Sequence, residues 1–160
     1  SGEVRLILIV DLDVHQGDGS AACFQDDPRV TTLSVHAASN FPLRKVDGDI
    51  DIPLADGTSD DDYLAAIADR LPDVLDSIAP DLVLYNAGVD PHRDDRLGRL
   101  ALSDAGLNMR DRLVLDACLR RRIPTATVIG GGYDALAPLV QRHAIVVRAA
   151  AEQARLFDLP

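Results

Sequence analysis

Five consecutive apolar residues, Leu6-Ile7-Leu8-Ile9-Val10, run straight into Asp11-Leu12-Asp13-Val14-His15-Gln16-Gly17-Asp18-Gly19. An unbroken apolar run of this length reads as a strand buried on both faces, and the switch to carboxylates and an imidazole marks where it ends. The same reading gives strands over 5–11, 30–36, 81–86 and 125–129. Between them the apolar spacing is helical over 60–78, with Ser59 as N-cap and Pro72 as a break or kink, and over 104–121, with Ser103 as N-cap. Arg120-Arg121-Arg122 suits the C-terminal dipole of that second helix. Residues 135–157 read as one or two apolar helices carrying His143 as an ordinary helix residue, and the acidic stretch 47–62 reads as a loop and a helix start.

Strands alternating with helices predict an α/β fold with a mainly parallel sheet and flanking helices, whose ligands bind beyond the carboxyl ends of the strands. Parallel strands bring four polar endings to one sheet edge: Asp11 to His15, Ser34-Val35-His36, Asn86 to Asp90, and Gly130-Gly131-Gly132-Tyr133-Asp134. On extended backbone Asp11, Asp13 and His15 share a face, so Asp13 and His15 can converge on one cation while Gly17 and Gly19 let the chain turn. With Asp90 joining from another strand, they form a three-ligand site of the kind that keeps a coordination position open. Such a cation polarises a carbonyl and acidifies water, which suits amide hydrolysis. Tyr133, behind three glycines, can approach closely and offer its phenol to a developing oxyanion.

Composition narrows the class. At 160 residues and 47% apolar, the chain is long enough for one domain with a sizeable core. No apolar run approaches the roughly 18 to 20 residues that span a bilayer, and no leader opens the chain, so a soluble protein without membrane partners is expected. Cys23 and Cys118 lack any C-x-x-C pairing and read as reduced core thiols of a cytoplasmic protein, against a disulfide framework or a cysteine zinc site. Sixteen basic against 26 acidic residues give a net charge of −10, which argues against nucleic acid as a direct partner. The sole methionine is Met109, so the chain reads as a piece of a longer protein, with Ser1-Gly2 left by tag cleavage.

Taken in order, Asp11 to Gly19 with Phe24 behind it, Ser34-Val35-His36, Asn40-Phe41-Pro42, Asp49-Ile50-Asp51-Ile52-Pro53-Leu54, Asn86-Ala87-Gly88-Val89-Asp90, Asp95-Arg96-Leu97-Gly98 and Gly130-Gly131-Gly132-Tyr133 resemble the zinc-dependent histone deacetylase family. Gln16, where most members carry a second histidine, and the Phe-Pro-x-Arg-Lys stretch at 41–45 look most like the class IV branch and its bacterial relatives. The resemblance implies the C-terminal portion of an arginase/deacetylase-like three-layer α/β/α domain acting on acylated lysine or acylated polyamine. It implies Asp13, His15 and Asp90 as ligands of Zn2+ or another divalent transition metal, Tyr133 as hydrogen-bond donor to the substrate carbonyl, and Phe41 as a wall of the substrate tunnel. It further implies K+ held by main-chain oxygens of Asp11, Asp13, His15 and Val35 with the Ser34 hydroxyl, and a second such site near Phe24 and Val30.

The chain departs from the family at one point: the adjacent histidines that serve as general base and electrostatic partner are absent, since no His-His occurs in the sequence. The resemblance places that pair upstream, oriented by Asp11 and Asp18. The four strands would then be neighbours with both sheet edges bare, for a partner strand or the N-terminal portion of the domain to cover. Two other readings stand beside this one. A two-metal, arginase-like amidohydrolase needs bridging acids where this chain has Gly17 and His92, which favours one metal. A non-catalytic module that binds acyl-lysine needs no base and remains open. Gly130 to Ala135 also satisfies a dinucleotide-binding glycine pattern, but no later strand supplies an acid for the ribose.

Overall fold

The computed structural model describes residues 4–159; Ser1 and Gly2, read above as a tag remnant, lie outside them. Among these described residues nine elements follow in order: β1 (Ile7–Asp11), α1 (Asp18–Phe24), β2 (Val30–Ala37), β3 (Ile50–Leu54), α2 (Asp60–Ile78), β4 (Leu82–Asn86), α3 (Asp104–Arg120), β5 (Thr125–Val128) and α4 (Leu136–Leu156). The strands form one sheet in the order β3-β2-β1-β4-β5, and every pairing is parallel. The four expected strands are therefore contiguous, as the alternation of strand and helix requires.

Leu8 and Val10 of β1 pack with Leu33 and Val35 of β2 and Val83 and Tyr85 of β4. Tyr63, Ile67 and Leu71 of α2 and Leu107, Val114 and Cys118 of α3 belong to the same core. The helix α3 lies between α2 and α4. The Ser103 hydroxyl caps α3 by accepting from Gly106 N, and the Asp60 carboxylate accepts from Ser103 N and Oγ, tying the two helix starts together. Pro72 is accommodated inside α2 without ending it.

Four features differ from the sequence reading. The stretch read as an acidic loop contains β3, whose Ile50, Ile52 and Leu54 reach the core while Asp51 and Pro53 face out. Between Gly17 and Gln25 the chain forms a short helix rather than only a turn. Cys23, on the outer side of that helix, is exposed, whereas Cys118 is buried as expected. Finally, β5 is an edge strand with three of its four residues exposed, not a strand buried on both faces. Val128 and Ile129 there, and Leu136 and Val140 of α4, are exposed apolar residues. Among the described residues no helix is long and apolar enough to cross a membrane.

Candidate metal centre

The last row in which β1 is paired sets the floor of the site. Asp11 lies between Ser34 of β2 and Asn86 of β4, and Asn86 lies opposite Val128 of β5. Beyond that row β1 has ended, yet Leu12 and Val14 stay sealed in the core while Asp13 and His15 are partly exposed. The alternation expected of a strand thus outlasts its ladder and sends Asp13 and His15 to the same side.

Asp90 meets them from the loop after β4. His15 Nδ1 lies 2.8 Å from Asp13 Oδ1 and 3.2 Å from Asp90 Oδ2. One potential ligand atom from each of the three residues falls within 4.8 Å of the others. Asp90 is fully buried; its Oδ1 accepts from Val14 N at 2.8 Å, and its Oδ2, sealed from solvent, has the His15 ring nitrogen 3.2 Å away as its neighbour. Burying two carboxylates this close together is costly unless positive charge meets them, whether a protonated His15 or a cation bound in its place. Two carboxylates and an imidazole therefore fit a divalent metal both in chemistry and in placement.

Glycine backbone closes the back of this cluster. A Cβ on Gly131, whose φ is +56°, would stand 2.5 Å from Asp90 Oδ2 and 2.6 Å from Asp13 Oδ2. One on Gly88 would stand 2.8 Å from Asp13 Oδ2. The sequence reading assigned the close approach to Tyr133 behind its three glycines, whereas the backbone that lies against both carboxylates is that of Gly131.

The electrostatics are those of an anionic pocket. Hydrogen bonding to Asp13, then to Asp90, pushes the His15 imidazole up to about 10. Burial, with Asp13 as a negative neighbour, pushes Asp90 up to about 6. Burial likewise pushes Asp11 up to about 6, although its Oδ1 accepts from Asn86 Nδ2 and Asp13 N.

Tyr133 follows β5 and is fixed at its backbone rather than its ring. Its N–H donates to Asp95 Oδ2 at 2.6 Å, and its carbonyl accepts from Arg96 Nε at 2.6 Å. Asp95 Oδ1 in turn accepts from Leu97 N and Gly98 N. The Tyr133 ring stands edge-on to the His15 ring at 5.9 Å, and Phe41 stands at 6.4 Å. Together with Asn40, Arg96, Leu97, Gly98 and Arg99 these three rings line a cleft of about 540 Å³.

Several expected residues sit near this centre without joining the ligand set. Asp18 opens α1, partly buried. Ser34 Oγ accepts from Gly17 N and bonds His36 Nδ1, with Val35 fully buried beside it. Asp11 thus pairs with Ser34, with Val35 next along β2, whereas Val30 lies at the start of that strand. Gln16 is turned away, its amide clasping Val46 N and O and reaching Asp51 Oδ1. His92 pairs with Asp104 and accepts from Asp94 N, and Gly17 abuts Asp11, so neither adds an acid for a second metal. His143 lies behind Gly132. The roles of Asp95 and Arg96 were missed, although Asp95-x-x-Gly98 has the form of a carboxylate-capped turn.

The model of the histone deacetylase domain matches residues 1–150. The chain is 53% identical over 150 residues to an uncharacterized protein of Picosynechococcus sp., covering 93% of this chain and 50% of the relative. It is 33% identical to histone deacetylase 2 of Arabidopsis thaliana, covering 81% of this chain and 34% of that protein. The crystal structure of acetylpolyamine aminohydrolase from Burkholderia pseudomallei shares the fold, with a TM-score of 0.76 at 23% identity over 93% of this chain and 44% of that one. The chain spans half the length, or less, of the curated relatives it matches.

Proposed function

Because the chain belongs to the histone deacetylase domain family, we propose that it carries the metal-binding half of a deacylase that hydrolyses acylated lysine or acylated polyamine amides. The observation that carries this reading is the convergence of Asp13, His15 and Asp90 beyond adjacent parallel strands, with the Tyr133 ring beside them. The mixed nitrogen and oxygen donor set suits Zn2+, which when bound polarises the acyl carbonyl and acidifies a water.

The side chains divide the remaining work. Asp13, His15 and Asp90 hold the cation. Phe41 and Tyr133, each edge-on to His15 in the same cleft, form apolar walls for the methylene stem of the substrate. The Tyr133 phenol donates a hydrogen bond to the carbonyl oxygen as negative charge develops there. Asp95 and Arg96 hold the Tyr133 backbone so that only its side chain must adjust. Asp11 and Asp18 would orient a histidine pair supplied by the portion of the domain outside this chain, and that pair would move the proton. Backbone oxygens of Asp11, Asp13, His15 and Val35, with the Ser34 hydroxyl, would take K+.

Metal analysis of the protein and of His15→Ala tests the reading, with about one equivalent of zinc expected in the first and a large loss in the second. Equal metal content would remove His15 from the site. Acetyl-lysine peptide and acetylpolyamine assays then separate deacylase from binding module. The absence of a His-His pair favours the second reading for this chain acting alone, so weak turnover with retained acyl-lysine binding is expected of it.

A further inference from the structure

Beneath the metal centre, on the core side, lies a buried cation that the chemistry above does not use. Arg110 of α3 is fully buried, among the largest side chains sealed in the molecule. One of its terminal nitrogens, Nη1, donates to two main-chain oxygens: Leu12 O at 3.2 Å and Gly88 O at 2.6 Å. Leu12 immediately precedes Asp13, and Gly88 stands two residues before Asp90. Its Nε donates to Asp111 Oδ1 at 2.9 Å, and the same carboxylate accepts from the Tyr85 hydroxyl. The Tyr63 hydroxyl reaches Leu12 O from α2 at 3.4 Å.

The placement answers a geometric problem. Up to Asn86 the chains of β1 and β4 are joined by ladder hydrogen bonds, the last of them from Leu12 N to Asn86 O. Beyond this row the two segments stay close, with Gly88 packed against Asp13, but no backbone hydrogen bond joins them, and the carbonyls of Leu12 and Gly88 are left without ladder donors in a dry interior. An unpaired buried carbonyl is costly. A guanidinium, with donors in a rigid planar fork, replaces the missing ladder by joining the two loops at a fixed separation.

We infer that Arg110 is a positioning residue for the metal centre, setting the distance between the Asp13–His15 segment and Asp90 by bridging the carbonyls of Leu12 and Gly88. This rests on the assignment of Asp13, His15 and Asp90 as ligands. Arg110 touches neither metal nor substrate, and its effect passes through the two loops.

The test is titration of the protein with Co2+, followed by its d–d absorption, in Arg110→Met and Arg110→Lys, with Leu75→Ala and His15→Ala as controls. Leu75 is a buried core residue of α2 and reports the effect of lost stability alone. In both Arg110 variants the dissociation constant should rise by about 10- to 100-fold, the range typical of residues that orient ligands, with a changed absorption envelope. Leu75→Ala should stay within about threefold of the parent, since distant sites act independently. Arg110→Lys keeps a cation beside Asp111 but offers one point of attachment, and it carries the test if Arg110→Met does not fold. Parent-like affinity and spectrum in either folded Arg110 variant overturns the inference, as does an equal loss in Leu75→Ala. If His15→Ala binds Co2+ as the parent does, the ligand assignment itself fails, whatever the Arg110 variants do.

Discussion

Gly131→Ala isolates how tightly the backbone is packed against the proposed metal ligands. The added methyl group would stand 2.5 Å from Asp90 Cγ, 2.5 Å from Asp90 Oδ2 and 2.6 Å from Asp13 Oδ2. Ordinary contacts to carbon are about 3.5 Å or more, so roughly 1 Å of movement is required of the loop or of both carboxylates. Metal sites tolerate displacements of only about 0.2 Å in ligand distance. The same substitution also places a non-glycine residue at a positive φ, which costs about 1–2 kcal/mol. Gly57→Ala separates the two effects: its φ is +75°, and nothing lies within 4 Å of the new methyl. Both variants should lose about 1–2 kcal/mol of stability in urea from backbone strain. Only Gly131→Ala should lose metal affinity, by at least about 10-fold. Zinc competition against a chromophoric chelator reads the difference, and equal affinities in the two variants would refute the close packing of Gly131 on Asp13 and Asp90.

Three further outcomes follow from the same geometry. In the parent enzyme that supplies the histidine pair, Tyr133→Phe should lower kcat by roughly 10²- to 10³-fold with KM and zinc content little changed, the loss typical of one oxyanion donor; unchanged kcat would leave the oxyanion to the metal alone. Because Asp13 and Asp90 hold the His15 imidazole up to about 10, the metal-free site is protonated at neutral pH and zinc must expel that proton. Affinity should therefore rise by about tenfold per pH unit from 6 towards 10, and fall more steeply below about 6, where Asp90 also gains a proton. Calorimetry at pH 7.5 in buffers of different ionisation enthalpy should find about one proton released, and none would contradict the assignment. Asp95→Ala leaves Tyr133 N, Leu97 N and Gly98 N without their acceptor, so it should cost about 1–3 kcal/mol in urea and lower kcat while zinc stays bound. Loss of zinc together with kcat would place Asp95 in the support of the metal rather than of Tyr133.

The cluster proposed as ligands could be read from the chain because each of its residues lies at a change of chemistry that follows an apolar run. Asp13 and His15 follow Leu6 to Val10, and Asp90 follows Leu82 to Tyr85 by way of Asn86, so parallel pairing alone brings them to one edge. The β3 strand was hidden although Ile50, Ile52 and Leu54 alternate cleanly, because Asp49, Asp51 and Pro53 fill the outward positions and imitate a loop. The same polarity blunts that edge of the sheet. The exposure of β5 was hidden for the opposite reason: its apolar run continues into Val128 and Ile129, and periodicity cannot tell a strand covered within this chain from one left bare.

What holds the ligands in place was not legible, and the reason is separation along the chain. Arg110 is 98 residues from Leu12, and Asp95 is 38 residues from Tyr133. Nothing in Asn108-Met109-Arg110-Asp111 marks the arginine as buried, since charged residues on a helix usually face water. Its inward turn meets a demand made elsewhere, by carbonyls left without ladder partners beyond the last hydrogen bond between β1 and β4. A ligand announces itself locally, because coordination chemistry needs particular residue types at a strand end. Its support does not, because any element that passes under the gap can supply a donor, and here the passing element is α3.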